Sequence, residues 1–100
     1  PPTGIDEAFA AKVLNVYPNP FSDRVAIEFS LPKTGAVDIR VTDLFGRQVA
    51  QLAKGTMAQG MNTTYWDGRT QVGGSLPDGV YLIRIETNGV SAYHKVNLSK

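Results

Sequence analysis

The sequence has no cysteine, a single histidine and a single tryptophan. Without cysteine there is no disulfide, no thiol nucleophile and no thiolate ligand for a metal. The compartment stays open, because an oxidising environment permits disulfides without requiring them. Net charge is also nearly missing: ten Lys and Arg stand against nine Asp and Glu, a formal +1. A nucleic-acid binder needs clustered cations to displace counterions from phosphates. Here Lys12, Arg24, Lys33, Arg40, Lys54 and Arg84 are dispersed along the chain, so no nucleic-acid partner is expected. Nothing approaches the roughly eighteen consecutive apolar residues of a membrane-spanning helix, so no membrane insertion is expected. Pro1 to Glu7 show neither the basic start nor the apolar run of a signal peptide.

With 100 residues, 42% of them hydrophobic and 19% charged, the chain suits one folded domain of sandwich size. Residues 1–12 read as a linker: Pro-Pro-Thr-Gly opens it, and Glu7 to Lys12 is too short for a helix stable by itself. From Val13 onward, short runs rich in β-branched and aromatic residues are separated by Gly, Pro, Asn and Asp. Period-two alternation predicts seven strands: Val13–Tyr17, Arg24–Leu31, Ala36–Asp43, Gln48–Ala53, Met61–Trp66, Val80–Thr87 and Val90 to about Leu98. Val25, Ile27, Phe29 and Leu31 share one face of the second strand, and Val37, Ile39 and Val41 share one face of the third. Tyr81, Ile83 and Ile85 form the same row on the sixth. Its opposite face stays apolar at Val80 and Leu82, which suggests a central strand. Asn88-Gly89 between two apolar runs marks a hairpin. Strand-sized runs at this spacing, with no sustained helical period, indicate an all-β sandwich of the immunoglobulin-like kind covering residues 13–100.

No catalytic constellation is visible. Nucleophilic catalysis needs a base beside the nucleophile and a group to orient that base. The one histidine, His94, shares a strand face with Ala92, Val96 and Leu98 and reads as a partly buried structural residue. The nine carboxylates lack the every-second-residue spacing of a calcium loop, which leaves calcium only an irregular loop site. Asp67 and Asp78 each precede a glycine and read as turn formers. Gly73-Gly74 leads into no helix and no Lys-Ser/Thr, so it is no phosphate cradle. Trp66 reads as a plug near a sheet end, the alternative being a ring face that stacks on sugar. No enzyme activity, no metal and no cofactor are expected of this chain.

Four stretches resemble one known family. Val16-Tyr17-Pro18-Asn19-Pro20-Phe21 resembles the Tyr-Pro-Asn-Pro signature that opens the type A C-terminal sorting domains of the type IX secretion system of Bacteroidetes. Val41 to Val49, with Asp43-Leu44-Phe45-Gly46-Arg47 at its centre, is similar to the family's middle motif. Gly79-Val80-Tyr81-Leu82-Ile83-Arg84-Ile85 is similar to its Gly-x-Tyr strand, and Lys95-Val96-Asn97-Leu98-Ser99-Lys100 to its closing tail. The resemblance covers residues 13–100 in order and would make Lys100 the C-terminus. It implies that a separate N-terminal signal takes the parent protein to the periplasm. The domain then addresses its N-terminal cargo to the outer-membrane translocon, and a sortase cuts in or before residues 1–12, leaving the cargo secreted or on the cell surface. The last six residues, at a free end with two lysines, are candidates for direct recognition through strand-edge pairing. Each motif also has a purely structural use: Pro18 and Pro20 end a strand and guard a sheet edge, Gly46 and Gly79 serve turns, and Tyr81 packs in the core. Trp66-Asp67-Gly68-Arg69 with Leu76 to Tyr81 also resembles the immunoglobulin-like domain of flagellar hook-capping proteins. That likeness implies a structural or carbohydrate-binding accessory module instead.

Overall fold

The computed structural model describes residues 11–100. The linker expected over residues 1–12 therefore lies almost wholly outside the described residues. Ala11 is already buried, and the first strand opens at Lys12. Seven strands follow in chain order: β1 Lys12–Tyr17, β2 Val25–Leu31, β3 Gly35–Thr42, β4 Gln48–Met57, β5 Gly60–Trp66, β6 Gly79–Thr87 and β7 Val90–Leu98. They form two antiparallel sheets, one in the order β1-β2-β5 and the other in the order β4-β3-β6-β7. The immunoglobulin-like sandwich read from the alternation is the fold.

The core lies where the alternation puts it. Val25, Ile27, Phe29 and Leu31 of β2 face Val37, Ile39 and Val41 of β3 and Tyr81, Ile83 and Ile85 of β6, and all are buried. Fully burying each such side chain contributes roughly 1.5–3 kcal/mol. Two facing sheets use all of these rows, whereas one sheet would leave them wet. β6 lies between β3 and β7, and its outer face is half-buried at Val80 and Leu82, as expected of a central strand. Asn88 and Gly89 adopt φ values of 55° and 74°, the left-handed pair that a two-residue hairpin between Thr87 and Val90 demands.

β4 differs most from the sequence expectation, running four residues past Ala53 to Met57. Lys54, Gly55 and Thr56 carry no apolar alternation, yet their main chain stays paired with β3, from Ala36↔Thr56 to Asp38↔Lys54. Register shifts opposite Ile39/Arg40 and Val41/Thr42 break the period of β4. β4 is an edge strand, and such bulges blunt an edge against pairing with other chains.

One end of the sandwich is closed by aromatic rings. Trp66 is 2% exposed, with its ring 5.5 Å from that of Phe21 and 5.3 Å from that of Tyr81. Its indole N–H donates to Arg69 O at 3.0 Å. Trp66 is thus the plug expected of it, and it offers sugar no open ring face. Tyr81 donates its hydroxyl proton to Pro77 O at 2.6 Å. A tyrosine at the start of this strand, bonded to main chain a few residues upstream, is the corner that ties an immunoglobulin-like sandwich across its end.

Candidate recognition surface

The ring-closed end is also where the motifs meet. β1 reaches it at Tyr17, where Pro18, lacking an N–H, stops the ladder with β2. The chain then crosses to the other sheet. Phe21 forms a parallel bridge with Leu98 of β7, donating its N–H to Asn97 O at 2.9 Å and accepting the Ser99 N–H at 2.8 Å. Between them the Asn19 side chain accepts the Asn97 N–H at 2.9 Å and donates to Lys95 O at 3.3 Å. The Tyr-Pro-Asn-Pro segment and the tail, 78 positions apart at Asn19 and Asn97, are one joined structure. The outer edge of the tail, which the sequence leaves open to a partner strand, is filled by the chain itself along Lys95 to Ser99.

The tail divides residue by residue. Val96 and Leu98 point inward and are buried, whereas Lys95, Asn97, Ser99 and Lys100 are exposed. Lys100 is anchored at three points. Its N–H donates to the Asp78 carboxylate at 3.2 Å, and its ammonium donates to Ser75 Oγ at 2.6 Å and Leu76 O at 2.8 Å. Gly79 pairs with Leu98, which brings the turn before β6 against the tail. The phenol of Tyr81 is pushed up by burial, with the Asp43 and Asp78 carboxylates adding to the effect.

The middle motif makes the loop between β3 and β4. Asp43 organises it: one carboxylate oxygen accepts the N–H groups of Phe45 and Arg47 at 2.9 and 3.0 Å, and the other accepts Arg47 Nε at 2.7 Å. Main-chain bonds from Asp43 N to Arg47 O and from Gly46 N to Asp43 O close the turn. Burial favours the neutral form of Asp43, but the Arg47 and Phe45 donors and the guanidinium charge outweigh it, so its pKa lies below the usual value. The loop holds Leu44 and Phe45 outward, 64% and 85% exposed, with the Arg47 guanidinium 5.5 Å from the Phe45 ring centre. A shallow concavity runs from this loop to the Leu76–Tyr81 segment.

Not every candidate joins this surface through its side chain. Tyr17 turns onto the outer face of the three-stranded sheet, where its hydroxyl donates to Glu28 at 2.9 Å and that carboxylate raises its pKa. Pro18 and Pro20 are exposed, while Phe21 is buried against Trp66. Asp43, Asp78 and Ser75 hold the surface together and were not among the candidate residues. The turn-forming chemistry of aspartate before glycine marked Asp78, whereas Asp43 stood only as the last residue of the expected third strand and part of the middle motif, and nothing local marked their partners.

The family of secretion system C-terminal sorting domains matches residues 15–99. The chain belongs to that family. Its role is that of a C-terminal sorting signal of the type IX system, and the family is one of signals, not of catalysts. No curated protein matches the chain. Among solved structures, the dimeric latent PorU of Porphyromonas gingivalis contains a similar fold, with a TM-score of 0.69 at 19% identity over 88% of the sorting domain and 9% of PorU. PorZ, an essential surface component of the type IX secretion system of the same organism, gives 0.61 at 23% identity over 88% of the domain and 11% of PorZ. FlgD of P. aeruginosa gives 0.61 at 23% identity over 88% of the domain and 67% of FlgD. These likenesses establish the fold alone. The sorting domain spans about a tenth of the PorU and PorZ chains, and FlgD shares its architecture as closely as PorZ does.

Proposed function

We propose that the sorting domain carries an N-terminal cargo from the periplasm to the outer-membrane translocon of the type IX system, which engages the ring-closed end of the sandwich at the exposed residues of the tail. A surface sortase then cuts in or before residues 1–12, leaving the cargo secreted or on the cell surface. The observation that carries this reading is convergence: four motifs spread over residues 17–100 meet at one end, tied by the bonds from Asn19 and Phe21 to the tail and from Lys100 to the turn before β6. A core-stabilising role would explain Phe21, Tyr81, Val96 and Leu98. It gives no reason for an exposed Lys95 or for the outward display of Leu44 and Phe45. The chain enters β1 at the opposite end, where Lys12 pairs with Ser30, so a cargo attached there leaves the surface open.

The test is a reporter fused behind a signal peptide and ahead of residues 1–100, in a host with the type IX machinery. The reporter should appear at the cell surface, and without the domain it should stay in the periplasm. Lys95→Glu reverses an exposed tail charge without disturbing Val96 or Leu98, and it should lower surface display several-fold. Undiminished display in that variant, with the tail peptide also dispensable, would remove the tail from recognition.

A further inference from the structure

Phe21 and Asn19 make two successive steps of one parallel ladder along β7. At Phe21 the main chain makes the step, its N–H to Asn97 O and its C=O from Ser99 N–H, flanking Leu98. Two residues earlier on both strands the same step recurs around Val96, with the N–H to Lys95 O and the oxygen from Asn97 N–H. Here the donor and the acceptor belong to the Asn19 carboxamide, not to main chain. A residue in a parallel strand bonds its neighbour at the positions before and after its partner, and the carboxamide reproduces that pair of bonds. Its orientation is fixed chemically, since the amide N–H of Asn97 requires an oxygen and the carbonyl of Lys95 requires a donor. In an ordinary parallel ladder the step around Val96 would use the main-chain N–H and C=O of Asn19; here its planar carboxamide, with one donor and one acceptor, makes both bonds instead.

We infer that Asn19 is a positioning residue of the sorting signal: its carboxamide stands in for a peptide group and fixes the tail over Lys95–Asn97 in the register that presents the exposed tail side chains. This rests on the reading that the secretion machinery engages the tail. It assigns Asn19 an effect through the tail and no contact of its own with a partner. Aspartate in its place keeps the shape but at neutral pH loses the donor and sets a carboxylate against Lys95 O. Alanine loses both groups.

Amide hydrogen exchange on the folded domain tests the clasp directly. In Asn19→Ala, protection of the Asn97 amide relative to the Ile83 and Ile85 amides should fall roughly five- to tenfold, the effect of losing one or two such bonds. Asn19→Asp keeps the acceptor for the Asn97 amide and loses only the donor to Lys95 O. At neutral pH its relative protection should therefore lie between those of the parent and Asn19→Ala, and it should rise below about pH 4, where the acid recovers a donor. Unchanged protection at Asn97, or an equal loss at Ile83 and Ile85, would overturn the assignment. In the reporter assay Asn19→Ala should lower surface display, with no further loss when combined with Lys95→Glu. Normal display by Asn19→Ala while Lys95→Glu fails would overturn the positioning role alone. Normal display by both would overturn the reading that the tail is engaged, and Asn19's part in export with it.

Discussion

Ile83 sits at the middle of β6, fully buried, with Val41 of β3 and His94 of β7 beside it in register. Ile83→Ala should cost on the order of 2–5 kcal/mol in urea unfolding, the range for truncating a packed aliphatic side chain. A loss under about half a kcal/mol, the size typical of surface sites, would mean that the faces of β6 are reversed. Residues of this kind were legible in the sequence because burial follows the period of the strand. Asp43 was legible only in part: the turn was visible, but its double role as acceptor for two amides and partner of Arg47 depends on loop geometry. That role has a pH signature. The folded carboxyl ionises below its ordinary value of 3.8, so its interactions stabilise the fold above that value and are lost as pH falls through the lower folded one. Asp38, held down first by Arg40 and then by Gln51, contributes in the same direction. Asp43→Asn should therefore flatten the acid limb of the stability profile below about pH 4, read from unfolding midpoints across an acid-to-neutral series. An acid limb as steep as the parent's would assign the loss to other carboxylates.

The turn after β5 connects elements that the chain order keeps apart. Gly68 is buried at φ 75°, and a Cβ there would lie 3.0 Å from Leu98 Cδ1 and 3.4 Å from the Phe21 ring. Gly68→Ala therefore combines a left-handed backbone with overpacking, for an expected loss of about 1–3 kcal/mol. Its amide shift changes should concentrate on Phe21 and Leu98, and changes confined to residues 66–70 would show that the turn does not bear on the tail. The sequence announced this turn through Asp67-Gly68 but not what the glycine touches. The same gap separates the two kinds of reading throughout. All seven strands were visible because alternation is a local property, and β4 was cut short at Ala53 because its last residues pair through main chain alone. The bridge from Phe21 to Leu98 and the bonds from Asn19 to the tail join distant positions through a few polar groups with no period, so no pattern within either segment disclosed them.

Across the whole molecule, the nine residues of β7 span roughly 27 Å at the usual rise. That length sets the end where β1 begins apart from the end where the motifs meet. Within the tail, Val96 and Leu98 are core while their neighbours are surface, so under the proposed engagement of the tail one segment serves both packing and recognition. Deleting Lys95 to Lys100 should consequently lower stability by about 3–6 kcal/mol, the burial of two aliphatic side chains. It would also uncover Phe21 and Trp66, so lost export in that deletion would report unfolding as much as lost recognition. Separation of the ends provides a cleaner test. A flexible Gly-Ser insertion of about ten residues just before Ala11 moves the cargo away without touching either sheet or the tail, and at about 5–6 Å × √n it adds less than 20 Å of mean reach. Surface display of the reporter should be unchanged if the motif end is the one engaged, as proposed, because that end and the attachment end do not share a surface. If the insertion abolishes display while the unfolding midpoint stays at the parent value, recognition extends to the cargo junction, and a surface confined to the motif end is the wrong description.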